Sequence, residues 1–224
     1  MSDVVGTGLV IGGCRVLVEG VQVINYLDDA SLALTKHGCT RRRSGVSVDF
    51  VVLHTTKGYP DHEQPSPQTI RESVAPPEHC TARRTVAAWQ RPGGRVGGAG
   101  LIVDADGTVL CLCDLLEMAA YHCVGLNQRS VGIEVTQQGD SSLYRRQLDV
   151  VVAVCSVLAT EFELPKTVAM PWTGCRARYT DGSYVGGLEG VGFIGHREAS
   201  ENRGFGDPGD FIMQALVDAG WVPL

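Results

Sequence analysis

The chain has 224 residues, of which 44% are hydrophobic and 20% charged, and it carries a net charge of −6. That is enough chain for one domain with a sizeable apolar core. The acidic balance argues against a nucleic-acid partner, whose phosphates need a basic surface.

Met1-Ser-Asp carries no basic n-region, and the apolar stretch from Val4 to Val18 is interrupted by Gly6, Gly8, Gly12, Gly13 and Arg15. It is too short and too polar to span a bilayer, so the expectation is synthesis in the cytoplasm with no signal peptide and no transmembrane segment. Residues 1–45 read as an N-terminal arm, with apolar stretches at Val16–Val18 and Val21–Ile24 that add short strands or pack on the main domain. Lys36 to Gly45 is polar and glycine-punctuated, the pattern of a loop. Within it, the short basic run Arg41-Arg42-Arg43 reads as a solvated loop rather than a DNA or membrane patch. Eight cysteines are scattered without a CxxC pair, so a zinc ribbon is not expected. Most read as reduced, buried, small hydrophobes.

The main domain is expected over 46–224. Asp49 to His54 is nearly continuously apolar and β-branched, as in a strand covered on both faces. Residues 57–79 carry Pro60, Pro65, Pro67, Pro76 and Pro77 and read as a long loop. Thr81 to Gln90 predicts a helix stopped by Pro92-Gly93-Gly94. Leu101–Val103, the Asp106-Gly107 turn and Thr108–Leu112 predict a β-hairpin. Val131 to Val135 alternates, with aliphatics on one face and Gly132 and Glu134 on the other. The strongest helix spans 143–162, with apolar residues every three to four positions. Residues 171–190 read as loop, and Val191 to His196 as a short buried strand. A last helix is expected over Pro208–Ala219, with Asp207 as a potential N-cap. The class is α/β or α+β: a central mixed sheet flanked by helices.

Of six histidines, His54 and His196 stand at the C-terminal ends of predicted strands, and Asp207 follows His196 by eleven residues. Two imidazoles and a carboxylate satisfy a catalytic zinc and leave its fourth position for water. Spacing alone leaves other readings open. A strand-end His also serves as a hydrogen-bonded core residue, and Asp before Pro also serves as a helix cap.

Four motifs, in order, add to this: Val51-Val-Leu-His54-Thr-Thr; Asp104-Ala-Asp-Gly-Thr-Val; Ala120-Tyr-His122 with Asn127 and Ser130-Val-Gly-Ile-Glu134; and Gly195-His196-Arg-Glu with Gly206-Asp207-Pro-Gly-Asp. Through them, residues 46–220 resemble the zinc amidases of the N-acetylmuramoyl-L-alanine amidase type, a superfamily of phage endolysins, bacterial muropeptide amidases and animal peptidoglycan-recognition proteins. The resemblance implies Zn2+ on His54, His196 and Asp207, and hydrolysis of the amide between N-acetylmuramic acid and L-alanine in peptidoglycan. It implies Glu134 as general base and acid and His122 at the substrate, where Asn127 either binds substrate as well or caps a turn. The chain departs from the family twice. Ala99 stands where some phage members have a Tyr, and Phe205 stands where many have a Lys. Arg203 is the candidate to stand in for that Lys at the oxyanion, because a guanidinium keeps its charge at any working pH.

Two alternatives accompany the hydrolase: a recognition module that grips muropeptide without cutting, and a structural component of a phage tail or injection particle that docks through residues 1–45. An enzyme made without a secretion signal reaches the wall by lysis, holin release or delivery.

Overall fold

The computed structural model describes residues 7–56, 69–91, 97–201, 203 and 207–224. The loop expectation for 57–68, the Pro92-Gly93-Gly94 stop, and the motif positions Phe205 and Gly206 lie outside the described residues. Eight strands form the main sheet: β1 (Val23–Asn25), β2 (Phe50–Thr55), β3 (Leu101–Val103), β4 (Val109–Cys111), β5 (Ser130–Val135), β6 (Thr167–Val168), β7 (Phe193–Gly195) and β8 (Val222–Pro223). Their order is β8-β6-β7-β2-β5-β3-β4-β1, and every neighbouring pair is parallel except the β3–β4 hairpin. The mixed sheet flanked by helices is the expected class. Of the two central strands, β2 lacks polar alternation, as a strand buried on both faces should, and β5 alternates Val131, Ile133 and Val135 with Gly132 and Glu134.

One face carries Val51, Leu53, Val131, Ile133 and Val135, and packs against α2 (Arg145–Glu161) and α4 (Asp210–Asp218). The other face is covered in two patches. Helix α1 (Ala82–Trp89) lays Ala82 and Val86 over Ile102 and Leu110. Leu188 and Val191 lie over Phe50, Val52 and Ile194. His54 has the side-chain parity of Phe50 and Val52, and Glu134 that of Gly132, so both face this second side. The register sets Glu134 beside His54, and Gly195 beside Leu53. The C-terminal ends of β2, β5 and β7 thus deliver His54, Glu134 and His196 to one edge, where open α/β sheets place their ligands.

Several local expectations change. Cys39–Arg41, expected as loop, pairs antiparallel with Met118–Ala120. Arg42 is buried rather than solvated: its guanidinium donates to the carbonyls of Leu115 (3.2 Å), Leu116 (3.0 Å), Met118 (3.0 Å) and Ser130 (3.4 Å), and to Gln128. One five-donor side chain thus ties the 115–118 segment to the start of β5. Within 171–190, Arg178–Thr180 pairs with Ser183–Gly186 as a hairpin. The last helix begins at Asp210 with Gly209 at the capping position, so Asp207 is left to point elsewhere. His196 opens a short helix, α3 (His196–Ala199), directly after β7. Strand β1, from the first 45 residues, adds the sheet's outer edge beside β4. All eight cysteines are free, and five are buried. Among the described residues no helix is long and apolar enough to cross a membrane.

Helix α1 has no cap from its own chain neighbour; Asp104, in the β3–β4 turn, supplies one. Its carboxylate accepts from the amides of Thr81 (2.9 Å) and Ala82 (3.1 Å) and from the Thr136 hydroxyl (3.1 Å). An Asp104→Ala chain should lose about 2 kcal/mol of stability in denaturant unfolding, since buried charge-assisted caps are worth that much. Asp104→Asn should lose less.

Candidate metal centre

His54, His196 and Asp207 meet at this edge, all buried, each offering an atom within 4.8 Å of the others'. Nδ1 of His196 is 3.1 Å from Asp207 Oδ2, and Nδ1 of His54 is 3.6 Å from Asp207 Oδ1. Zinc bonds of about 2.0–2.2 Å in tetrahedral array would set neighbouring donors roughly 3.3 Å apart, so both separations fit an ion held by these atoms. The charge states follow the burial and the charges around each group: at His54 burial lowers the imidazole, yet the hydrogen bond and charge of Asp207 outweigh it and hold it above its ordinary value. Burial pushes His196 down to about 4, leaving a neutral imidazole with a lone pair to give. Burial works against ionisation of Asp207, yet hydrogen bonds and charge from the two histidines outweigh it and hold the carboxyl well below its usual range.

Asp207 is anchored from both sides of its chain. The Thr55 amide donates to Oδ1 at 3.3 Å, and the Arg197 amide donates to the Asp207 carbonyl at 2.8 Å. Arg197 itself is fully buried, and its guanidinium spans Glu198 (2.9 Å) and Asp210 at the start of α4 (2.7 Å). Glu198 in turn accepts from the Gly195 amide at 2.8 Å. This buried pairing ties β7, α3 and α4 together around His196 and Asp207. The sequence singled out Arg197 and Glu198 only as letters of a motif; two charges beside a strand end look like surface until their partner at 210 is seen.

Glu134 lies beside the three residues with its Oε2 lacking a hydrogen-bond partner among the described residues. Burial pushes it up to about 7; Asp207 adds to the push, while His54 and Arg203 oppose it. An unpartnered buried carboxylate costs stability and marks a place where a proton or ligand is handled. Arg203 reaches Asp207 Oδ2 at 3.7 Å, and its Nε likewise has no hydrogen-bond partner among the described residues. Both line a cleft of about 690 Å³, whose opposite wall is Thr85 and Trp89, one turn apart on α1. Trp89 follows Ala82 and Val86 on the same helix face and packs partly against their cluster, so its share in the wall had no separate sequence signal. Asn127 is turned to the backbone: its Oδ1 accepts from the amides of His122 (2.9 Å) and Cys123 (2.7 Å) and holds the loop that carries His122. Ala99 is fully buried beside β3.

Residues 44–210 match the family model described as N-acetylmuramoyl-L-alanine amidase. No curated protein matches the chain. Among solved structures, the ectodomain complex of peptidoglycan recognition proteins LCa and LCx bound to tracheal cytotoxin is similar with a TM-score of 0.52 at 16% identity, covering 89% of this chain and 97% of that one. Wild-type Drosophila PGRP-LB gives a TM-score of 0.52 at 12% identity, covering 90% of this chain and 96% of that one. Drosophila PGRP-SD gives 0.50 at 13%, covering 90% and 95%. At these identities the likeness is one of fold.

Proposed function

The chain belongs to the N-acetylmuramoyl-L-alanine amidase family, and from that premise we propose that it is a zinc-dependent hydrolase of the amide between N-acetylmuramic acid and L-alanine in bacterial peptidoglycan. The observation that carries this reading is Glu134, whose Oε2 has no hydrogen-bond partner among the described residues, beside two imidazoles and an ionised Asp207. Those three residues would hold the ion. When bound, zinc supplies a Lewis acid for the scissile carbonyl and lowers the pKa of the attacking water.

The chain's own residues supply the rest. Glu134 takes the proton from water as the carbonyl is attacked and returns it to the leaving L-alanine nitrogen, a role that needs a carboxyl titrating near the working pH. Arg203 presents a fixed positive charge where negative charge grows on the carbonyl oxygen. The stem peptide and sugar lie in the cleft between α1 and the wall that carries His122 and Asn127. Residues 46–224 act as the amidase domain, with the preceding segment as a packing element on its sheet.

Metal analysis of the purified protein, paired with mass spectrometry of digested peptidoglycan, tests this directly. About one zinc per chain, a free lactoyl group on the sugar and L-alanine at the peptide N-terminus are expected. Peptidoglycan captured but left intact by zinc-loaded protein would make the chain a recognition module instead. Arg203→Ala should lower kcat by about 10²-fold with zinc retained, as loss of one oxyanion donor does elsewhere. Arg203→Lys should recover part of the loss.

A further inference from the structure

We propose that His122 is a positioning residue for the metal centre, accepting a hydrogen bond from Nε2 of His54 and so turning the Nδ1 lone pair of His54 toward Asp207 and His196. This rests on the zinc reading above. The inference comes from a chain of four groups whose polarity is fixed at its far end. Nε2 of His54 lies 3.1 Å from Nδ1 of His122, and Nε2 of His122 lies 3.2 Å from the Ser130 hydroxyl. The Ser130 hydroxyl lies 2.8 Å from the carbonyl of Leu126.

A carbonyl oxygen only accepts, so the single Ser130 hydroxyl hydrogen is spent on Leu126. Ser130 Oγ must then accept from His122, which places the His122 proton on Nε2. Nδ1 of His54 is the atom that faces Asp207, and to hold zinc it must be unprotonated, which leaves the His54 proton on Nε2. That nitrogen faces Nδ1 of His122 at 3.1 Å, so with zinc bound His54 donates and His122, its own proton on Nε2 toward Ser130, accepts. A backbone carbonyl three hydrogen bonds away thus sets the tautomer of a ligand, a job more often done by a single carboxylate or carbonyl.

The strand beneath is cut to fit this ring. A Cβ added at Gly132 would come within 2.5 Å of His122 Cγ and 2.7 Å of its Nδ1. Only glycine lets the imidazole lie on β5 between Ser130 and Glu134. The backbone of the ring's own residue is fixed by Asn127. Both ring nitrogens of His122 are engaged within the protein, which separates this role from a direct contact with substrate.

The test uses zinc alone as the probe. Zinc Kd is measured by chelator competition for wild-type protein and for His122→Ala, His122→Asn and His122→Gln, together with the melting temperature of each metal-free protein. Asn places an amide oxygen where Nδ1 was and can still accept from His54; Gln reaches toward Ser130 and cannot. His122→Ala and His122→Gln should raise Kd about 10- to 100-fold, and His122→Asn should restore it to within a few-fold. Nitrogen-15 NMR of the zinc-loaded wild type should show His54 protonated at Nε2. Wild-type affinity in His122→Ala, with KM raised instead, would overturn the inference in favour of substrate binding. Equal loss in His122→Ala and His122→Asn with unchanged melting would overturn it too. If His122→Ala fails to fold, the comparison of His122→Asn with His122→Gln decides. Wild-type protein that binds no zinc would count against the metal centre itself, a distinguishable result.

Discussion

A His196→Ala chain should purify with almost no zinc and with kcat/KM reduced by about 10³-fold or more. Removing one of three donors leaves two, too few for a catalytic zinc site. The lost electrophile is worth several kcal/mol in the transition state, and each 1.36 kcal/mol is tenfold in rate. Atomic absorption and a peptidoglycan turbidity assay read the two effects. Stability supplies an independent measure. Zinc at a hundred times its Kd should raise the unfolding free energy of wild-type protein by about 2.7 kcal/mol through mass action. The His196→Ala protein should show no such rise. Because His196 is a neutral buried imidazole with Asp207 as its hydrogen-bond partner, the metal-free variant should also lose some stability of its own.

Glu134→Gln should do the reverse, keeping zinc and losing turnover. General acid–base catalysis contributes about 10²–10⁴-fold, and the amide cannot take a proton from water. The pH profile carries the signature. Glu134 is held up to about 7 by burial in the metal-free chain, and a divalent cation beside it lowers that value. The acid limb of kcat/KM should therefore lie at or below about pH 7, and should vanish in Glu134→Gln. Stability should move the opposite way from activity. The folded chain holds the Glu134 proton from the free carboxyl's value of 4.5 up to about 7, while the unfolded chain has lost it. The stability that comes from keeping the group neutral is therefore complete below about 4.5 and is lost as pH rises through about 7. Metal-free Glu134→Gln, which stays neutral, should exceed wild type by on the order of 3 kcal/mol above pH 7, with the gain fading toward pH 4.5. Such an exchange of stability for function is expected where a carboxylate is kept without a partner.

The elements that were legible are those whose signal is local and strong. β2 announces itself as an unbroken apolar run from Phe50 to Leu53, β5 as an alternating one, and α2 as a repeat of buried apolar positions over seventeen residues. The alternation at 131–135 correctly separated the aliphatic face from the face of Gly132 and Glu134. What stayed hidden is pairing at a distance. Cys39–Arg41 is polar and short, and becomes a strand only because Met118–Ala120 lies against it. Arg42 looks like one of three solvated arginines until the carbonyls it serves arrive from 73 to 88 residues further on. At the site, His54, His196 and Asp207 were named because four motifs occur in order around them, and the structure brings their donor atoms together. Spacing alone allowed Asp207 to be a helix cap; the helix instead begins three residues later, at Asp210. The Leu126–Ser130–His122–His54 chain has no sequence pattern, because it depends on a ring lying over a glycine of the neighbouring strand.

The parallel register that lines up the three strand ends has a kinetic side. Parallel strands cannot be closed by short turns, and here the contact between Thr55 and Asp207 joins residues 152 apart in sequence. Pairing of that range comes late, because loop-closure entropy must be overcome before the contact contributes anything. No stretch of the nascent chain holds more than a fragment of the donor set, so zinc has nothing tight to bind until β7 has docked on β2. Metal uptake should accordingly appear in stopped-flow refolding as the last event, with a rate set by the chain rather than by the zinc concentration.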